Sequence, residues 1–358
     1  MKRSKKITVL LTASGGLGTP SIITCLKNNP EKKKIRVICA DISDVPLLHF
    51  IADGFHILPK GNSKNYISSI TKLCQKEKID VIMPGAGIEI LALSNHIEKF
   101  ESKRIAVTIS NQTPLKILKD KHATYKFLEK YKIPVPKYFF VNNRKEFLKS
   151  AKQLGYPQFP ICFKPSKYSA SGGARGFRIL RKNNSVSSNI LDKKPGSVEI
   201  DYDTTLKLFS KNNLGMLVME YLPGEEYSVY VLSKQGKTLY CIPQLRKKLQ
   251  QFYSFEAVVK KNKTINDICK KIVEKFGLDF NINIQIKISR NGIPKVVEIN
   301  PRMGGSISLS VAAGINLPFY AVKLALNEKI PKKKIINNVK MNRYWKELFS
   351  IDSKSFEL

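Results

Sequence analysis

Short apolar runs alternate with stretches of helical period through the first third of the chain. Residues 7–12 (ITVLLT), 35–40 (IRVICA), 79–83 and 104–108 (RIAVT) read as buried parallel strands. Between them, amphipathic segments such as 64–77 read as crossover helices. This alternation predicts a doubly wound α/β domain over residues 1–112 with roughly four parallel strands.

Beyond residue 112 the pattern changes. Helices are predicted from Thr113-Pro114, from Asp120-Lys121 to Tyr131, over 144–154 and over 202–212. Strands are predicted at Pro160–Pro165, Phe177–Leu180, Leu217–Leu222 and Tyr227–Leu232, and around Pro243–Arg246. A helix over 264–276 stops at Gly277, a C-cap signal. Residues 282–288 and 295–299 then form two strands joined by the turn Arg290-Asn291-Gly292. The segment Tyr344, Trp345, Leu348, Phe349 near the C-terminus is expected to pack back on the body.

Composition narrows the class. The chain has 358 residues, 42% of them hydrophobic, enough for two or three domains with a real core. Its apolar runs fall short of the ~20 residues that span a bilayer. The basic start and the run Ile7–Leu11 mimic a leader, but the run is short and enters a Gly-rich turn as a first strand does. A cytoplasmic enzyme is expected. Six scattered cysteines, with no C-x-x-C pair, read as buried thiols, and the four histidines lack metal-ligand spacing. The formal charge is +34, yet arginine supplies only 11 of the 62 basic residues. Lysines line most predicted exposed helix faces, so the charge reads as solvated surface rather than as a nucleic-acid site.

The first turn, Ala13–Thr19, has glycines at 15, 16 and 18, which does not give G-x-G-x-x-G, and Asp41 after the second strand serves equally as a turn cap. Dinucleotide binding is therefore not expected. Glu89, after Gly85-Ala86-Gly87, either reaches a substrate or caps its helix. A strand carrying Lys164 runs into Ser166–Gly176, a small-residue loop with Ser171, Gly172, Gly173 and Arg175. Such a loop closes over phosphates through its backbone N–H groups, or is a plain hairpin. Met219-Glu220-Tyr221-Leu222, then Pro223-Gly224 and Glu226, offers an apolar edge for a base and a carboxylate for ribose hydroxyls. Gln285, Glu298 and Asn300, with Arg302 following, form an oxygen-donor set beside a cation, suited to magnesium and a polyphosphate. Arg246 either clamps a substrate carboxylate or is a surface arginine beside Lys247-Lys248.

The order of these parts, and above all N-I-Q followed by V-E-I-N-P-R-M-G-G-S-I-S-L-S, resembles the ATP-grasp superfamily over about residues 7 to 330. Within it the chain is similar to the carbamoyl-phosphate synthase large-subunit-like, carboxylate–amine ligase branch. The resemblance implies an ATP-grasp fold of mixed α/β and α+β character behind a doubly wound pre-ATP-grasp domain. It implies that the ATP-grasp domain covers 113–335, with a mobile lid over about 134–215 and a nucleotide and metal core over about 216–330, and that 336–358 form a tail. Lys121 and Lys164 would meet ATP phosphates under the 169–176 flap. Glu220, Tyr221 and Leu222 would meet the adenine and Glu226 the ribose. Glu298 and Asn300 would hold magnesium (or manganese), with Gln285 beside them, and Arg302 would steady the transferred phosphoryl group. Arg175 adds a charge to the flap that reaches a phosphate, a substrate carboxylate or solvent.

The implied activity is a ligase that activates a small-molecule carboxylate as an acyl phosphate and joins it to an amine. Relatives imply a homodimer, with no membrane or specific nucleic-acid partner. A single ATP-grasp unit argues against a complete carbamoyl-phosphate synthase. The alternatives are a carbamoyl-phosphate-forming or kinase-like phosphoryl transfer, and a non-catalytic basic nucleic-acid binder.

Overall fold

A computed structural model describes residues 6–167, 176–182, 198–250, 252–351 and 354–357. The chain divides into two compact units. One comprises Met1–Lys116, Tyr227–Ile284 and Ile299–Leu358; the other comprises Ile117–Glu226 and Gln285–Glu298.

The first unit opens with strands β1 (Ile7–Leu11), β2 (Ile35–Asp41), β3 (Gly54–Ile57), β4 (Val81–Met83) and β5 (Ala106–Val107). They form a parallel sheet in the order β3-β2-β1-β4-β5. Both faces are buried, as the continuous apolar runs require. Val9, Leu11, Val37 and Cys39 enter one core, while Leu10, Ile38 and Ala40 enter another on the opposite face. The sheet has five strands where the apolar pattern predicts four. The extra strand, β3, is an edge strand of sequence GFHI, short and only half-buried, so it carries no apolar run to read.

In the second unit, β6 (Tyr138–Val141), β7 (Ile161–Pro165), β8 (Arg178–Leu180), β9 (Glu199–Ile200) and β10 (Met216–Glu220) make a sheet in the order β6-β10-β7-β8-β9. Phe147, Phe163 and Phe209 pack under it, with ring centroids of Phe147 and Phe209 4.2 Å apart. The helix Lys121–Lys130 begins at Asp120, whose carboxylate accepts from His122 N at 2.9 Å and Ala123 N at 3.2 Å.

A six-stranded sheet follows, built from β11 (Glu226–Lys234), β12 (Lys237–Gln250), β13 (Tyr253–Val259), β14 (Phe280–Ile288), β15 (Pro294–Asn300) and β16 (Lys340–Asn342) in the order β15-β14-β11-β12-β13-β16. The distal ends of β14 and β15, with the turn at Gly292, count with the second unit. The helix Lys263–Phe276 ends at Gly277, whose φ of 65° is the left-handed cap its sequence announces. Residues past 336 add β16 to the edge of β13, and β17 (Phe349–Ile351) pairs with β18 (Lys354–Phe356). Trp345 meets Phe255 edge-on at 5.8 Å but stays 65% exposed, and Tyr344 stays 78% exposed.

Candidate functional site

In the second unit, three sequence-predicted residues converge. Lys121 is the first residue of its helix, and its backbone N donates to Ser166 O at 2.8 Å. Asp120 Oδ1 accepts from Ser166 Oγ at 2.6 Å, so the helix start is fastened to the strand that carries Lys164. Lys121 Nζ stands 4.0 Å from Glu298 Oε1, and both side chains are about nine-tenths buried. Lys164, on β7, is buried; its Nζ donates to Val297 O at 2.9 Å and to Tyr125 Oη at 3.3 Å. Burial pushes both lysines below their ordinary pKa, Lys121 to about 8, although Glu298 pulls each back up. Two desolvated ammonium groups around one carboxylate leave a net positive site that gains from a polyanion.

Glu220 ends β10. Its carboxylate is held by Lys137 N at 2.7 Å and by Lys295 Nζ. Its backbone N donates to Lys137 O at 2.9 Å, and its carbonyl accepts from Cys162 Sγ at 3.4 Å. The Tyr221 ring is flanked by the Arg181 guanidinium at 4.8 Å and Lys287 Nζ at 5.1 Å, and Leu222 is buried. Gly224 N donates to Ile288 O at 3.0 Å, and a Cβ on Gly224 would stand 2.7 Å from that oxygen, so glycine is required at this close approach. Glu226 begins β11, and Gln285 is half-buried on β14. Ser171, Gly172, Gly173 and Arg175, with the rest of 168–175, lie outside the described residues.

Glu298 and Asn300 stand two apart on β15 and so project from one face of the strand. A carboxylate and an amide oxygen on one strand face are hard donors. Donors of this type suit magnesium, which takes one or two carboxylates and keeps waters and substrate phosphates for the rest.

The first unit contains a cavity of about 170 Å³ at the Gly-rich turn, with Thr12, Ser14, Gly18, Tyr253, Arg302 and Gly305 among its walls. Arg302 is the charged residue of that lining among the described residues. Its Nη1 donates to Met303 O at 2.7 Å. Arg246 does not line this cavity. Its Nε donates to Ser254 Oγ at 3.0 Å and its Nη2 to Phe252 O, so it braces the two neighbours of Tyr253. Asp41 accepts from Gly15 N at 2.7 Å and Ile42 N at 2.7 Å, the turn-capping role. Glu89 also caps: it accepts from Gly85 N at 2.9 Å and Ala86 N at 3.0 Å, and also from Thr12 Oγ1 at 2.6 Å and Tyr66 Oη at 2.8 Å.

Sequence reasoning passes over Tyr125, which accepts from Lys164 Nζ, and Tyr253, which lines the cavity. Tyr125 falls one helical turn after Lys121, a spacing that places both on one helix face. Tyr253 opens β13 directly after Phe252 and carries no local signal.

This chain matches two family models: "PylC-like, N-terminal domain" over residues 9–108, and "ATP-grasp in the biosynthetic pathway with Ter operon" over residues 213–346. The chain carries the ATP-grasp fold. It superposes on an N5-carboxyaminoimidazole ribonucleotide synthetase in its ADP complex with a TM-score of 0.65, at 15% identity, covering 94% of this chain and 81% of that one. For the biotin carboxylase–β,γ-ATP complex from Campylobacter jejuni the TM-score is 0.64, at 18% identity, covering 92% and 73%. By sequence, this chain is 23% identical over 312 residues to the mitochondrial arginine-specific carbamoyl phosphate synthase large chain of Neurospora crassa, covering 83% of this chain and 24% of that one. It is 26% identical over 226 residues to a D-alanine–D-alanine ligase of Pelagibacter ubique, covering 63% and 64%. The chain thus spans about a quarter of the carbamoyl phosphate synthase chain it matches. No helix among its described residues is long and apolar enough to cross a membrane.

Proposed function

We propose that this ATP-grasp chain is an ATP- and magnesium-dependent ligase that activates a small-molecule carboxylate as an acyl phosphate and joins it to an amine. The pair of buried lysines at Glu298 carries this reading: Lys121 Nζ at 4.0 Å from the carboxylate, and Lys164 bonded to the carbonyl of the preceding Val297. Buried ammonium groups are costly unless an anion compensates them, and a nucleotide polyphosphate supplies that charge.

In this reading Lys121 and Lys164 take the phosphates, Tyr221 and Leu222 with the Glu220 backbone take the base, and Glu226 takes the ribose. Glu298 and Asn300, with Gln285, hold the magnesium ion, which when bound neutralises phosphate charge. The carboxylate oxygen of the acid attacks the γ-phosphorus, the bond to the β-phosphate oxygen breaks, and ADP leaves. The amine then adds to the acyl carbon, loses a proton, and expels phosphate. Arg302 offers a guanidinium to the charge that develops on the transferred group. The chain supplies position and electrostatics and needs no nucleophilic side chain. In this reading the 169–176 flap would cover the site and exclude water, with Arg175 toward a phosphate, the substrate carboxylate or solvent.

ADP release, followed with magnesium across panels of carboxylates and amines, tests this. Glu298→Ala and Asn300→Ala are expected to lower turnover by at least about a hundredfold. Unchanged turnover in both would sink the metal assignment. ADP formation with a carboxylate but without an amine acceptor would favour the kinase-like alternative.

A further inference from the structure

The ligase reading gives Lys164 a phosphate to hold but does not say what aims its ammonium group. We propose that Tyr125 is a positioning residue of the phosphate site: its hydroxyl and the Val297 carbonyl together fix the Lys164 ammonium and leave one N–H for the nucleotide. The identity of the anion rests on the ligase reading. The residues that aim the lysine all belong to the second unit.

The hydroxyl has a defined polarity. Tyr125 is only 1% exposed, and a buried hydroxyl is costly unless it is bonded. A phenylalanine would fill the same space without that cost. Tyr125 Oη stands 2.9 Å from Val297 O and 3.3 Å from Lys164 Nζ. A carbonyl oxygen only accepts and an ammonium only donates. The single hydroxyl proton therefore goes to Val297 O, and a lone pair faces Lys164. Met219 Sδ, at 4.0 Å, is a weaker acceptor and does not compete for that proton.

Lys164 Nζ also donates to Val297 O, at 2.9 Å, so the three polar atoms close a triangle. An ammonium group has three N–H donors. Two are spent inside the triangle, and the third has no acceptor among the described residues. Fixing two N–H directions of a tetrahedral group fixes the third. A lysine stem otherwise carries much rotamer freedom into binding, and a donor set in advance binds its anion more tightly.

The triangle is also a brace. Tyr125 lies one turn after Lys121 on the same helix, and Val297 directly precedes Glu298 on β15. The hydroxyl thus ties the helix of one phosphate lysine to the strand position beside the carboxylate, with the other lysine between them. The ring itself is held edge-on by Tyr138, with centroids 5.1 Å apart, and Asp120 fastens the start of the helix to Ser166. Tyr125 touches no phosphate in this arrangement; it acts through Lys164.

Isothermal titration of the full chain with ADP and magnesium tests this, with adenosine as the probe that lacks phosphate. Tyr125→Phe removes Oη and keeps the ring and its contact with Tyr138. It is expected to weaken ADP binding about tenfold and to leave adenosine affinity unchanged. Lys164→Met is expected to weaken ADP binding at least as much. The double variant is expected to bind ADP no more weakly than Lys164→Met alone, because the hydroxyl works through the lysine. A merely structural role would lower the melting temperature of Tyr125→Phe and move ADP and adenosine affinities together. Unchanged ADP affinity in Tyr125→Phe, an equal loss for adenosine, or additive losses in the double variant each overturns the role of Tyr125 and leaves the nucleotide site standing. A wild-type chain that binds no ADP removes the ligase reading, and this proposal with it.

Discussion

Lys121 Nζ lies 4.0 Å from Glu298 Oε1, and burial holds this lysine at a pKa of about 8 although the carboxylate pulls it up. The ammonium group is thus already giving up its proton just above neutrality. A bound polyphosphate favours the charged form and raises that pKa. Below about 8 the lysine is protonated before and after binding, so affinity is flat. Above about 8, binding must take up a proton, and nucleotide affinity is expected to fall by up to about tenfold per pH unit for this group. Titration calorimetry from pH 7 to 10, in buffers of different ionisation enthalpy, reads both the slope and the proton uptake. Lys121→Met is expected to lessen both. A wild-type affinity independent of pH across that range would remove Lys121 from the phosphate site.

Asp120 fastens the same helix. Its carboxylate caps His122 N and Ala123 N and accepts from Ser166 Oγ. Asp120→Ala is expected to cost about 1–2 kcal/mol, read from urea unfolding, and Asp120→Asn clearly less, since an amide oxygen also caps. Because Lys121 is the next residue, Asp120→Ala is also expected to weaken nucleotide binding. Stability lost with no change in nucleotide affinity would separate the cap from the site.

Glu89 is buried and accepts four hydrogen bonds, from Thr12, Tyr66, Gly85 and Ala86. Removing it leaves several buried donors unpaired. Glu89→Ala is expected to destabilise the chain by about 2–4 kcal/mol, with Glu89→Gln nearer about 1. A melting temperature unchanged in Glu89→Ala would show that Thr12 and the Gly85-Ala86 turn hold their places without it.

Gly304 has no room for a side chain. A Cβ there would stand 2.7 Å from Tyr230 Oη and 3.0 Å from Asn283 Cγ. Tyr230 Oη is bonded to Ser306 Oγ at 2.9 Å, and Ser306 Oγ to Gln244 Oε1 at 3.0 Å, all buried. Gly304→Ala is expected to cost about 1–3 kcal/mol through this chain of bonds. Gly16→Ala, where a Cβ meets nothing within 4 Å, is expected to stay within about 0.5 kcal/mol. Paired thermal melts compare the two.

The legible parts of this molecule are those where one local pattern has one physical cause. The doubly wound domain shows in apolar runs because both faces of its sheet are buried. Gly277 marks a helix end because only a left-handed cap fits there. Lys121, Lys164 and Glu298 are legible as a set because their order along the chain carries a family resemblance, and the fold brings all three together. The edge strand β3 is not legible, since half-exposed GFHI buries too little to leave a signal. Nor is Tyr253, whose place in the cavity depends on a bulged hairpin braced by Arg246 and on a strand from beyond residue 339. Glu89 and Asp41 carry either a capping or a ligand role in the sequence; hydrogen-bond geometry assigns both to capping.

The contact of Gly18 with Gly305 ties two segments far apart in sequence, since a Cβ on the former would press on the backbone of the latter at 3.1 Å. A side chain at Gly18 therefore requires the Gly305 backbone to give by a few tenths of an ångström. A chimera that replaces residues 1–112 with the corresponding domain of another protein of this fold is expected to be sensitive to the size of the residue at the position of Gly18. A donor that carries alanine or serine there is expected to express as a strained hybrid until the facing turn is transplanted with it. Modular exchange in this architecture is then sensitive to a close backbone approach far from the point where the exchanged parts join.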